Sequence, residues 1–277
     1  MIPEWETNYI YFSNLLPMQY PLFWENLKKL LNKAQIKYDL LPYTSDIWCR
    51  DFMPIQLNKH DFIQFDYNPD YLKGYEFQHL RTDPLKINNY LKIYPNYSNI
   101  ILDGGNVVYS KDTVILTNKV IIENKLSINY NNLLNELKRL FKTDKVYFIP
   151  KQPYDIYGHA DGMIRFIDNN TLLLNDFSYE SKIFQKNLYQ IIENLPFDVK
   201  SIKIKFKHRF FWCYINYIHI GKKLIIPVIG HSQEDIILKQ FEDFFPGHYI
   251  YTINAKSILR KGGGLHCISW NVMMEDV

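Results

Sequence analysis

With 277 residues, 47% of them apolar, the chain has material for one large closed core, and residues 1–277 are read as a single domain. A formal charge of +3, with no basic run and no block in which basic and aromatic residues alternate, argues against a nucleic acid or other polyanion partner. Cys49, Cys213 and Cys267 form no CxxC pair, no apolar run reaches the ~20 residues that span a bilayer, and the start shows no leader pattern; together these argue against a disulfide framework, a cysteine zinc site or a membrane, and for the cytoplasm.

In chain order, an apolar strand at residues 9–12 precedes a helix over 21–34, which opens with a proline suited to the first turn and is apolar at Leu22, Phe23, Leu27, Leu30 and Leu31. A strand at 38–43 follows and closes in Asp46, Ile47, Trp48, Cys49, Arg50 and Asp51. A hairpin-like pair (53–57 and 62–67), a helix near 83–94 and a strand at 99–102 lead to Asp103, Gly104, Gly105 and Asn106. Strands at 107–109 and 113–122, the strongly amphipathic helix 130–141 and a strand at 146–149 lead to Tyr157, Gly158, His159, Ala160 and Asp161. Strands at 163–167 and 171–174, a helix over 181–194 and a strand at 201–206 lead to Trp212, Cys213, Tyr214, Ile215 and Asn216. A last round, strand 224–228, helix 232–244 and strand 249–254, ends in Gly262, Gly263, Gly264, Leu265, His266 and Cys267, where three glycines let backbone approach a bound group and present a thiol. The plainer alternative is a glycine-rich turn before a final strand, with a small buried cysteine.

The polar clusters recur at near-constant intervals: 52 positions from Asp51 to Asp103, 58 to Asp161, 55 to Asn216 and 51 to Cys267. A period of about 50 residues signals a repeat architecture. Five ββαβ units, none able to bury its faces alone, close radially as an α/β propeller with fivefold pseudosymmetry and bring their strand ends to one axis. An ordinary mixed sheet with accidental spacing is the alternative, and in it the clusters need not meet.

At such an axis the clusters offer the carboxylates of Asp51, Asp103 and Asp161, the imidazole of His159 and the thiol of Cys267. Converging carboxylates repel unless a cation lies between them. A metal suits the set poorly, since a lone histidine with scattered aspartates and a thiol matches no common ion. A planar guanidinium matches carboxylates bidentately, and its central carbon is open to attack by a thiolate.

The stretches Trp48-Cys49-Arg50-Asp51-Phe52-Met53-Pro54, Asp103-Gly104-Gly105-Asn106, Gly158-His159-Ala160-Asp161 and Gly262 to Cys267 resemble the successive motifs of the agmatine deiminase and bacterial-type peptidylarginine deiminase family, in order and in spacing. The resemblance implies the pentein fold of guanidino-group-modifying enzymes, a hydrolase that releases ammonia and a ureido product through a covalent amidino-cysteine intermediate, and no cofactor. Carried over by position, it makes Cys267 the nucleophile, His159 the acid/base, and Asp51 and Asp161 the guanidinium carboxylates. Asp103, Trp48, Arg50, Arg165, Asn216, Gly263 and Gly264 are the expected substrate contacts; Arg50 either braces Asp51 or meets a substrate acid group, Arg165 either meets such a group or is paired, and Trp48 walls the pocket. The chain departs from the agmatine deiminase pattern at Met53, at Gly264 and at Asp103, where relatives carry Glu. The implied partner is a small guanidine, agmatine or arginine-like, with a homodimer within range. Alternatives on the same scaffold are a peptidylarginine deiminase, an amidinotransferase and a non-catalytic guanidine-binding pentein. Cys49 and Cys213 are expected in the core, and His219 and His231 at the surface or in caps.

Overall fold

In the computed structural model, which describes residues 1–206 and 208–275, β1 (Tyr9–Ser13) runs into helix Pro21–Lys33, which crosses back to a parallel β2 (Lys37–Leu41). Next, β3 (Ile55–Gln56) and β4 (Phe62–Asp66) pair antiparallel, and helix Pro84–Leu91 crosses to β5 (Asn96–Ile101), parallel to β4. The same sentence is repeated by β6 (Val107–Tyr109), β7 (Thr113–Thr117), helix Tyr130–Phe141 and β8 (Lys145–Ile149). It recurs in β9 (Ile164–Phe166), β10 (Thr171–Leu174), helix Lys182–Glu193 and β11 (Asp198–Ser201), and again in β12 (Ile218–Ile220), β13 (Lys223–Val228), helix Glu234–Phe244 and β14 (Tyr249–Asn254). β15 (Ser269–Val272) then pairs antiparallel with β1, so the end of the chain supplies the first unit's missing strand. Five separate three-stranded sheets result, which is the expected fivefold propeller of ββαβ units and not a single mixed sheet.

Composition follows position in each sheet. The first strands β3, β9, β12 and β15 are buried throughout, as is the middle strand β7, whereas β5 and β11 at the other edge are largely exposed. Middle strands can therefore be continuous apolar runs such as Leu224-Ile225-Ile226, while β11 tolerates Asp198 and Lys200. Outside the sheets, helix Tyr130–Phe141 buries Leu133, Leu137, Leu140 and Phe141; Asn129 caps it by accepting from Asn132 N–H, and Lys142, at φ 55°, ends it.

Two expected strands are redrawn. The run 113–122 is a strand only as far as Thr117; Asn118 turns the chain, and Lys119–Asn124 is a helix that sets Lys119 and Glu123 one turn apart. The strand expected at 201–206 lies at Asp198–Ser201, because its partner β10 ends at Leu174. Beyond it the backbone N–H groups of Lys203 and Ile204 donate to the side chains of Gln240 and Asp176, while Ile202, Ile204 and Phe206 still point into the core.

Candidate active site

Each polar cluster lies in a turn that leaves the outer strand of one sheet for the first strand of the next: helix Cys49–Phe52, the 3-10 turns Gly104–Asn106, Ala160–Gly162 and Phe211–Ile215, and residues 265–268 ahead of β15. The chain must cross toward the axis at those points, and hydrogen bonds join the five crossings in a closed circuit. Gly105 N–H donates to Asp51 Oδ1 (3.1 Å), and His159 Nε2 lies 2.8 Å from Asp103 Oδ2. Asn216 Nδ2 donates to Asp161 Oδ2 (3.3 Å), and Asn216 Oδ1 accepts from the backbone N–H groups of His266 and Cys267 (2.9 and 3.3 Å). Arg50 N–H, donating to Cys267 O (3.1 Å), completes the circuit.

Two of the glycines are required for want of room. A Cβ on Gly263 would fall 2.3 Å from Trp48 Cζ3, and one on Gly264 would fall 2.4 Å from Asn216 Oδ1. The Trp48 ring thus rests on the backbone that leads to the thiol. Tyr71 and Tyr157 meet edge to face at 5.1 Å, with His159 6.2 Å from the first and 6.1 Å from the second. Beneath these rings the site is closed: Cys267, Asp51 and His159 are 8%, 8% and 6% exposed. An open cleft of about 750 Å³ lies elsewhere, lined by residues such as Asp66, Arg81, Tyr97 and Asn99 that take no part in the circuit.

Charge in this space is uneven. Cys267 Sγ lies 3.7 Å from Asp161 Oδ2 and 3.5 Å from Asn216 Oδ1, and burial, then the charges of Asp161 and Asp51, push its pKa well above the usual thiol value. Burial and then the neighbouring Asp103 and Asp161 raise Asp51 to about 7, against the opposing pull of His159. Burial lowers His159, but Asp51 and the hydrogen-bonded Asp103 more than offset it and lift the imidazole to about 9. Burial likewise works to raise Asp161 and Asp103, yet both end below the usual carboxylate range. His266, 2.6 Å away through Nδ1, holds Asp161 down, and His159 with Lys119, whose Nζ lies 3.1 Å away, does so for Asp103. Asp103 Oδ1 is buried with no hydrogen-bond partner. A thiol held in its neutral form beside the ionised carboxylates of Asp161 and Asp103 makes a site that favours a cation with several N–H donors. Among the described residues no group of three or more His, Cys, Asp or Glu side chains is arranged to hold a metal ion.

The circuit and its wall bring together Cys267, His159, Asp161, Asp51, Asp103, Asn216, Trp48, Gly263 and Gly264. The side chains of Arg50 and Arg165 point elsewhere. Arg50 Nη2 donates to Glu4 Oε1 and Asn271 Oδ1 (both 3.1 Å), while Arg165 donates to Glu4 Oε2 and to the carbonyls of Ile215 and Tyr217. Both are buried and hydrogen-bonded, sharing the Glu4 carboxylate, which argues against substrate contact and leaves no ion pair between Arg50 and Asp51. His219 is also corrected: at 1% exposure, among Trp5, Tyr217, Phe245 and His248, it is a core residue that burial drives down to about 3. His231 accepts from Gln233 N–H in the turn ahead of helix Glu234–Phe244, and Cys49 and Cys213 are core residues as expected.

Sequence reasoning gave no role to Glu4, His266, Lys119 or Tyr71. His266 stood inside a quoted motif beside the thiol, a usable signal. Glu4 stood in a stretch read only for a leader, and Lys119 in a run taken for a strand.

The family model for Porphyromonas-type peptidyl-arginine deiminase matches residues 19–272. The fold is similar to that of a C. jejuni agmatine deiminase with a cysteine-to-serine replacement and substrate bound, at TM-score 0.79 and 20% identity, covering 98% of this chain and 95% of that one. It is similar to an Enterococcus faecalis agmatine deiminase at TM-score 0.76 and 16% identity, covering 99% and 95%. A Pseudomonas aeruginosa DDAH, a cysteine-to-serine mutant complexed with citrulline, is more distant at TM-score 0.58 and 10% identity, covering 96% and 99%.

Proposed function

Because the chain belongs to the Porphyromonas-type peptidyl-arginine deiminase family, we propose that it hydrolyses the guanidino group of a small cationic guanidine of the agmatine type, with Cys267 as nucleophile and no cofactor. The observation that carries this reading is the closed circuit that sets one thiol among the carboxylates of Asp51, Asp103 and Asp161 and the imidazole of His159. The guanidinium lies between Asp51 and Asp161, where its N–H groups donate to both carboxylates. Its positive charge brings down the thiol's pKa, so Cys267 gives up its proton to solvent as the guanidinium binds, and the nucleophile forms only when substrate is present. The Cys267 Sγ bonds to the guanidinium carbon; as the C–N bond breaks, His159 gives its proton to the departing ammonia, leaving a thiouronium adduct. Neutral His159 then takes a proton from water as the oxygen attacks that carbon, the C–S bond breaks, and a ureido product and the thiol are released.

Closure under Tyr71, Tyr157 and Trp48 favours a small molecule over an arginine side chain in a folded protein, which would need an open groove. Amidinotransfer needs an amine in place of the second water, and nothing in the closed site favours one. The direct test is a panel of agmatine, arginine, methylarginines and peptidyl-arginine assayed for ammonia and ureido product. Turnover of agmatine in the parent, abolished in Cys267→Ser with the melting temperature kept, is expected; a folded Cys267→Ser with the parent's rate would sink the mechanism.

A further inference from the structure

The N-terminal segment, outside the family match at 19–272, places the half-buried Glu4 against the axis residues. Its 3-10 turn Glu4–Glu6 carries Glu4 to the back of the axis, where Oε1 lies 2.7 Å from His266 Nε2. The other ring nitrogen, Nδ1, lies 2.6 Å from Asp161 Oδ2, and that same oxygen is 3.7 Å from Cys267 Sγ. An ionised carboxylate only accepts hydrogen bonds, so a ring flanked by two of them can satisfy both only as an imidazolium with both nitrogens donating. Glu4 also binds Arg50 and Arg165, so removing it would leave two buried cations without their counter-charge.

We infer that Glu4 is a positioning residue for the reaction: through His266 it fixes the charge and direction of the Asp161 carboxylate that the guanidinium meets. The inference rests on the proposed deiminase reading. It also gives the first residues a purpose that requires their order. Met1 donates to Lys111 O (2.8 Å) and Ile2 N–H to Gln56 O (3.2 Å) ahead of Glu4, and Glu6 pairs with Lys111 (2.6 Å) behind it, so the segment is tied on both sides of Glu4. The titratable and charged groups that face Glu4 are Arg50, Arg165, His266, Tyr109, Tyr217 and His219. Arginine stays charged, the tyrosines are neutral below pH 10 and His219 is a neutral core residue, which leaves the His266 ring as the contact through which a change at Glu4 reaches Asp161.

The test is Glu4→Gln beside Glu4→Asp, read in two ways. In activity toward the best guanidine, Glu4→Gln should lose about tenfold or more in kcat/KM and its acid limb should move to higher pH by about one unit, because Asp161 then takes up a proton more easily; Glu4→Asp, which keeps the charge, should recover most of the loss. In the downfield proton spectrum, the parent should show two slowly exchanging imidazole N–H signals that are absent from His266→Asn, and Glu4→Gln should lose the one on Nε2. A folded Glu4→Gln with the parent's pH profile and both signals overturns the inference. If Glu4→Gln does not fold, the charge-balanced pair Glu4→Gln/Arg50→Gln is judged by the same criteria. If the parent turns over no guanidine at all, the reaction assigned to the site falls, and the N–H signals still decide whether Glu4 holds the imidazolium.

Discussion

Cys267 rests as a thiol because burial and the charges of Asp161 and Asp51 act in the same direction, so a positive charge must arrive before it can attack. The carboxylates therefore serve binding and activation together, and the two can be separated. A guanidine should raise the melting temperature at fixed ligand concentration, an uncharged ureido analogue much less, and Asp161→Asn should remove most of the difference, since losing one partner of a buried charge contact costs ~3–5 kcal/mol. Equal stabilisation by the two compounds in the parent would mean that no cation is being read. His159 offers a second test. Its folded pKa of about 9 stands above an unfolded value of ~6.5, so the folded state holds the extra proton between them; the stability this gives, up to about 3 kcal/mol, is complete below the lower value and lost as pH rises through the upper. Urea midpoints should fall from pH 6.5 to 9.5 in the parent and much less in His159→Asn. At this scale the meeting of Cys267, His159 and Asp161 at one axis was legible, because each stands in a polar cluster of the repeat. It was not where the choice of partner decides, because nothing local in Arg50 or Arg165 shows that each turns to a carboxylate at position 4.

Periodicity carried the elements. Helix Tyr130–Phe141 was readable to the residue from its apolar positions, and the structure adds the Asn129 cap and the left-handed Lys142 that fix its ends. The run 113–122 misled because two short apolar stretches read the same on a strand and on a short buried helix, and only the polar Asn118 and Lys119 between them mark the break. The strand at 198–201 was misplaced because its pairing is set by the length of β10, a tertiary fact. The closing turns were legible as clusters, yet their service to the axis came from spacing and not from any one turn. The outer helices, remote from the axis, should affect stability alone. Asn129→Ala is expected to cost about 1 kcal/mol in chemical denaturation and leave kcat unchanged, and a changed kcat would show that the rim reaches the site.

The fold as a whole is closed by its two ends, and the candidate site depends on that closure. β15 lies between the turn that carries Cys267 and the end of the chain, and it pairs with β1 from Tyr9↔Val272 to Phe12↔Ser269. Any slip in this register would move the thiol along the axis, away from Asn216 and Asp161. Trp270 is the side chain that resists it. It is 3% exposed, its ring lies 5.4 Å from Tyr11 and 6.4 Å from Phe62 in the neighbouring sheet, and its Nε1 donates to Pro54 O at 2.8 Å. Trp270→Ala removes a large buried ring and leaves the Pro54 carbonyl without that donor, for an expected loss of ~3–5 kcal/mol in stability. Trp270→Phe keeps most of the volume and loses only the N–H, so its cost should be nearer ~1 kcal/mol. If closure positions the thiol, then under conditions where each variant remains folded, Trp270→Ala should also lower kcat/KM while Trp270→Phe stays close to the parent. A folded Trp270→Ala with full activity would show that the circuit of turns at the axis holds Cys267 in place without help from the strand behind it.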